Sequence, residues 1–129
     1  MSNEIGNIGE RLDIRIRCGA DFGPIDVELL NPDRTPVNLT GCTIRGQIRL
    51  LASSAGSPLA TFDVTIVAPL LGKYQFGLTD AVTTSLPQPV NVNVPPKVLA
   101  WDLELEDTLG RVTPLYYGQA KVYAEVTKV

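Results

Sequence analysis

Between Lys97 and the C-terminus, large apolar side chains alternate with polar or small ones: Leu99, Trp101, Leu103 and Leu105 against Ala100, Asp102, Glu104 and Glu106. A period of two puts the first set on one face of a strand and the carboxylates on the other. Asp107-Thr108-Leu109-Gly110 reads as a hairpin turn, because Gly110 can take the positive φ that a type I turn with a bulge requires. The chain then returns through Tyr117, is expected to bend at Gly118, and alternates again with Ala120, Val122, Ala124 and Val126 facing inward. The stretch predicts a half-buried antiparallel hairpin that carries the single tryptophan.

The same period recurs upstream. Leu12, Ile14, Ile16 and Cys18 alternate with Asp13, Arg15 and Arg17, which predicts a first strand, and Gly19 to Pro24 reads as loop. Ile25, Val27 and Leu29 predict a second strand, closed by the turn-rich Asn31-Pro32-Asp33-Arg34-Thr35-Pro36. Ile44, Gly46, Ile48 and Leu50 point one way while Arg45, Gln47 and Arg49 point the other. After a flexible 52–58 segment, Leu59 to Val67 predicts one further strand with Phe62, Val64 and Ile66 inward. Pro69 to Gly72 turns the chain into the run Tyr74, Phe76, Leu78. Residues 79–86 can hold one helical turn capped by Thr79 or Asp80, with Leu86 plugging the core.

One segment breaks the pattern. Residues 87–96 contain four prolines, which bars a central strand, yet Val90, Val92 and Val94 alternate with Asn91 and Asn93 like an extended ribbon. Two readings stand side by side: a packed surface loop, or an arm that docks on a neighbouring chain by strand addition.

Seven to eight short strands separated by frequent turns predict an all-β, two-sheet antiparallel β-sandwich of immunoglobulin-like architecture, with a small barrel as the alternative. Its core is expected to gather Trp101, Leu103, Leu105, Phe62, Ile48 and Val122. The expected organisation is a mobile arm at residues 1–9 and one sandwich domain at 10–129, carrying the Pro/Val loop at 87–96. A chain of 129 residues suffices for such a core, since a domain of this size buries roughly two thirds of its unfolded surface.

Composition narrows the function more than it names it. With 11 basic against 14 acidic residues, there is no polybasic field for nucleic acid or anionic lipid. No apolar run reaches the roughly 20 residues of a membrane span. The start MSNEIGNIGERL has neither the basic nor the apolar region of a secretion signal, so a cytosolic start is expected. In that setting Cys18 and Cys42 are expected as reduced structural thiols, and the sequon Asn38-Leu39-Thr40 as turn polars.

The chain has no histidine, the commonest general base and metal ligand. The carboxylate row Asp102, Glu104, Glu106 and Asp107 is the best catalytic candidate, but alternation on one strand face is what any solvated sheet surface shows. Calcium at Glu106 and Asp107 would have too few ligands. The expectation is therefore no enzyme and no cofactor. Arg15, Arg17, Arg45 and Arg49 face outward on their strands. They would pair with the carboxylates if their strands lie alongside, or fix register against a partner. With Val90, Val92 and Val94 they are the candidate partner-contact residues.

Several segments together resemble a family of small proteins and domains from tailed bacteriophages. They are Pro36-Val37-Asn38-Leu39-Thr40-Gly41-Cys42-Thr43-Ile44-Arg45-Gly46-Gln47-Ile48-Arg49, Gly72-Lys73-Tyr74, Trp101-Asp102-Leu103-Glu104-Leu105-Glu106-Asp107, Gly110-Arg111-Val112-Thr113, and Gly118 with Ala124-Glu125-Val126-Thr127. The best-known relative is the immunoglobulin-like N-terminal domain of phage baseplate upper proteins. The resemblance spans roughly residues 10 to 129, and its motifs are turn glycines and core alternation. It implies a virion structural protein, assembled in the host cytoplasm, that meets other tail, baseplate or fibre proteins in an oligomeric particle. The enlarged 87–96 segment departs from the family pattern. The end at the last strand suggests an adaptor or decoration module rather than a complete host-recognition protein. A capsid decoration protein and a carbohydrate-binding module are the alternatives. Against the latter, Trp101 alternates with core leucines, which leaves Tyr116, Tyr117 and Tyr123 as sugar platforms.

Overall fold

The computed structural model describes residues 8–53 and 55–126. The arm expected at 1–9 falls almost wholly on residues outside the described ones. The elements are β1 (Glu10–Arg11), β2 (Ile14–Arg17), β3 (Phe22–Glu28), β4 (Thr43–Arg49), β5 (Ala60–Thr61), β6 (Asp63–Ala68), β7 (Lys73–Leu78), a short helix α1 (Asp80–Thr84), β8 (Lys97–Glu106) and β9 (Val112–Tyr123). A 3₁₀ turn at Pro69–Leu71 joins β6 to β7.

The strands form the two layers of an all-β sandwich. The larger sheet has the order β1-β9-β8-β4-β5, with β2 also on β9, and the smaller one β3-β7-β6. β1 and β2 are two halves of one interrupted edge strand, so the nine strands of the described residues count as eight, within the expected seven to eight. The central hairpin forms as its alternation demands. Leu99, Trp101, Leu103 and Leu105 are buried on one face of β8. Asp107 N–H donates to Arg111 O and Gly110 N–H to Asp107 O, with Gly110 at φ 79°.

The core lies between the sheets, and all six residues expected there are buried: Trp101, Leu103, Leu105, Phe62, Ile48 and Val122. Trp101, 3% exposed, stacks with Phe76 of the small sheet (centroids 5.9 Å apart) and with Tyr116 of β9 (6.3 Å). Phe62 meets it edge-on at 5.7 Å. Opposite Trp101 on β9 stands Gly118. The indole Nε1–H donates past it to Leu12 O at 2.7 Å, on the edge strand beyond. A Cβ at Gly118 would collide with Leu12 O, so the close approach of that strand requires glycine.

Several sequence expectations are corrected. The sandwich is not wholly antiparallel: β1 and β2 run parallel to β9. The chain's first strand has no hairpin joining it to the last, so nothing forces an antiparallel direction. Leu12 is half-exposed rather than inward. It sits at the interruption, with its N–H on Tyr117 O and its carbonyl on the tryptophan. The predicted bend at Gly118 is absent, and the irregularity of β9 lies at Leu115, where the β8 register shifts between Leu103 and Glu104.

The strand predicted from Leu59 to Val67 is two strands on different sheets. At Phe62 the N–H donates to Gly46 O of the large sheet while the ring fills the core, and the chain crosses over. β3 starts earlier than expected, at Phe22, whose ring packs on Phe62 and Phe76. Leu50 and Val126 lie past the strand ends and are exposed. The helical turn stands as predicted, with Thr79 Oγ1 accepting from Val82 N–H and Leu86 buried. Cys18 and Cys42 are free thiols, the first buried and the second half-buried.

Replacing Trp101 removes its ring contacts and the tie to Leu12 together. Trp101→Ala is expected to cost about 3–5 kcal/mol in denaturant unfolding, as large buried-to-small changes do. A cost below about 1 kcal/mol would show that the ring bears little of the core.

Candidate functional site

The outer face of the large sheet carries most of the charged candidates. Arg45 stands opposite Glu104 in the β4–β8 register. Its Nε donates to Glu104 Oε1 at 2.7 Å and its Nη2 reaches Glu106 Oε1 at 3.5 Å. This is the cross-strand pairing that alternation anticipated. Carboxylate charge raises the guanidinium's already high pKa, with the Glu104 hydrogen bond the main cause. Both partners are partly exposed, so the pairing fixes register more than it adds stability.

The other three arginines behave differently. Arg49 donates to Gly56 O at 2.7 Å and to Gln47 Oε1 at 2.9 Å, which ties Gly56 to the sheet. Arg17 donates to Ala124 O at 2.8 Å and lies over the Tyr123 ring, 5.4 Å from its centroid. β2 is separated from β8 by β9, so Arg15 and Arg17 do not meet the carboxylate row. Arg15 is exposed beside Lys121 in the β2–β9 register.

Ala100, Trp101 and Gly118 leave bare backbone between the taller residues of β4 and β9. The result is a shallow depression of about 220 Å³ lined by Gln47, Arg49, Asp102 and Tyr117 among others. The sheet keeps part of the water from the Asp102 carboxyl and raises its pKa, and the Glu104 charge adds to this. Trp101 lies beneath this surface and offers no ring face to a sugar. Among the described residues no cluster of three or more Cys, Asp or Glu is arranged to hold a metal ion. No described helix is long and apolar enough to cross a membrane.

The 87–96 loop departs from the extended ribbon. Asn91 Oδ1 accepts from Asn93 N–H at 2.8 Å and Asn91 O from Val94 N–H at 3.2 Å, so 91–94 closes into a tight turn. A short polar side chain that bonds its own backbone competes with extension, and alternation alone does not register this. The base of the loop is anchored. Pro89 is buried, and Gln88 Oε1 accepts from Glu125 N–H at 2.9 Å. Its tip presents apolar surface: Val90 is 85% exposed, Val92 55% and Val94 40%.

Leu50 and Leu51 are exposed at the same end of the sandwich, where β4 finishes and β8 starts. At the other end Leu70 and Leu71 stand out from the 3₁₀ turn and Leu109 from the β8–β9 turn. Sequence reading placed Leu50 inward and gave the other leucines no role. The available signal is that adjacent apolar residues in a turn cannot both face inward.

Compared with protein-family models and with curated proteins, the chain matches none.

Asp107 closes the β8–β9 turn. Its Oδ1 accepts from Leu109 and Arg111 N–H and its Oδ2 from Arg111 Nε, each at 2.9 Å. These bonds, the Arg111 backbone one first, hold its carboxyl below the usual carboxylate range. A depressed folded pKa gives stability that is present above the unfolded value of about 3.9 and is lost as pH falls through the folded value. Wild type should therefore melt higher than Asp107→Asn at neutral pH, with the gap closing below about pH 4. A gap independent of pH would mean the carboxylate charge plays no part in the turn.

Proposed function

We propose that this chain is a non-enzymatic structural protein of a tailed-phage virion. It acts as an adaptor in the tail, baseplate or fibre-attachment region through protein–protein contacts, within an oligomeric assembly of other virion proteins. The sequence resemblance supplies the virion context. The observation that carries an adaptor role is the placement of exposed aliphatic side chains on loops at both ends of the sandwich: Val90, Val92, Leu50 and Leu51 at one, Leu70, Leu71 and Leu109 at the other. Apolar surface gathered on loops that a rigid frame holds in place is the arrangement expected of a protein-contact module.

The segments behind the resemblance also have physical roles in this fold. Gly46 sits where an added Cβ would strike Asp102 O and the Leu103 side chain, Gly118 lets the edge strand approach, and Gly110 turns the hairpin. They build the frame, and the loops that it holds in place are where a partner would be met.

The test is cryo-electron microscopy of purified particles of the phage that encodes the chain, with wild type and with residues 90–94 replaced by glycine and serine. The replacement begins after Pro89 because Pro89 is buried and Gln88 is bonded to Glu125. The expected result is sandwich-shaped density in the tail region for wild type. The altered protein should melt within a few degrees of wild type yet be missing from the particle. Density on the capsid surface would replace the adaptor reading with capsid decoration. Absence of the wild-type chain from purified particles would overturn the virion reading.

A further inference from the structure

We infer that the outer edge of β6 is a self-association surface, at which two copies of this chain pair antiparallel about a two-fold axis through Thr65. The inference does not depend on the proposed virion role.

The starting point is how the sheet edges are treated. An open edge presents unpaired N–H and C=O groups, and proteins usually blunt it with short strands, charges, bulges or proline. In the large sheet, β5 has two residues. At the other edge, β1 and β2 are interrupted after Arg11 and carry Glu10, Arg11, Arg15 and Arg17. In the small sheet, β3 holds Pro24, which has no N–H, inside a register irregularity between Phe22 and Ile25. β6 is different. It pairs with β7 on one side, and among the described residues no other strand pairs with it. Its middle is Val64-Thr65-Ile66-Val67, four β-branched residues with one charge, Asp63, ahead of them. Its register irregularity lies at the far end, between Ile66 and Ala68.

Burial shows the same deficit. Val64 and Ile66 point into the sandwich yet stay half-buried, while Asp63, Thr65 and Val67 are exposed on the outer face, Val67 at 55%. A strand added at this edge would complete their burial and satisfy the backbone.

A second copy fits this edge by symmetry. A two-fold perpendicular to the sheet keeps inward side chains opposite inward ones, so the axis must pass through a residue rather than between two. An axis through Ile66 would need Ala68, beyond the irregularity. An axis through Thr65 uses Asp63 to Val67. Thr65 then faces its own copy, Val64 faces the partner's Ile66, and Asp63 faces the partner's Val67. No like charges meet, and Thr–Thr and paired β-branched residues are favourable cross-strand neighbours. The small sheets become one six-stranded sheet, an isologous closed dimer.

The experiment is sedimentation velocity on wild type, Thr65→Lys, Thr65→Glu and an equimolar mixture of the two variants, with melting curves to establish folding. Wild type should sediment at twice the chain mass. Each variant places like charges directly across the axis and should sediment at the single-chain mass while still melting cooperatively. The mixture places Lys opposite Glu and should return to twice the chain mass. A monomeric wild type at about 100 μM, where a complex of micromolar Kd would be formed, would overturn the proposal. So would variants that stay dimeric, or a mixture of folded variants that stays monomeric. Should the lysine variant fail to fold, Thr65→Glu alone still tests the first point.

Discussion

A single indole hydrogen bond ties the β8–β9 hairpin to an edge strand that lies far from it in the chain. Trp101 of β8 reaches past Gly118 of β9 to the carbonyl of Leu12, which belongs to the edge strand 89 residues earlier. The reach is possible because Gly118 has no side chain, and the same vacancy lets Leu12 come close to β9. A tryptophan, a facing glycine and a backbone carbonyl thus form one unit, and a side chain at position 118 would disrupt it twice. The ring also couples the layers, since both Phe76 of the small sheet and Tyr116 of the large sheet stack with it. Aromatic pairs of this kind add about 0.5–1.5 kcal/mol each beyond burial, against a total stability of only about 5–15 kcal/mol for a domain.

Around this frame, exposed apolar side chains are left to the periphery. The loop from 87 to 96 is anchored by Pro89 and Gln88 but free at its valine tip. Between β4 and β5, Gly56 O is held by Arg49, and Leu50 and Leu51 are exposed. Charges on the large sheet are mostly used within the chain, between Arg45 and its two glutamates and between Arg17 and Ala124 O. These features leave exposed apolar side chains on loop tips and one open strand edge, while these charges of the large sheet bond within the chain.

Where burial follows strictly from alternation, the sequence was readable. β4, β7 and β8 show it through Ile44 and Ile48, Tyr74 and Phe76, and Trp101 to Leu105, and Asp107 to Gly110 announced its turn. A period of two says which face a residue takes but not which sheet the strand joins, and so β5 and β6 read as one strand across Phe62. It also gives no strand direction, which hid the parallel pairing of β2 with β9. The alternating valines misled for a related reason, because the Asn91 side chain closes a turn that hydrophobicity does not record. Of the candidate contacts, Arg45 was legible because its partners are side chains on the neighbouring strand. Arg17 and Arg49 bond backbone carbonyls, which residue types do not reveal.

The tie between Trp101 and Leu12 is open to direct observation through hydrogen exchange of the indole Nε1–H followed by NMR. If the bond joins the edge strand to the hairpin as described, this proton exchanges as slowly as the most protected backbone amides of β8 and β9, which open only when the whole domain unfolds. An indole proton that exchanges much faster than those amides, while they remain protected, would mean that the edge strand opens by itself. The fold would then not depend on this contact.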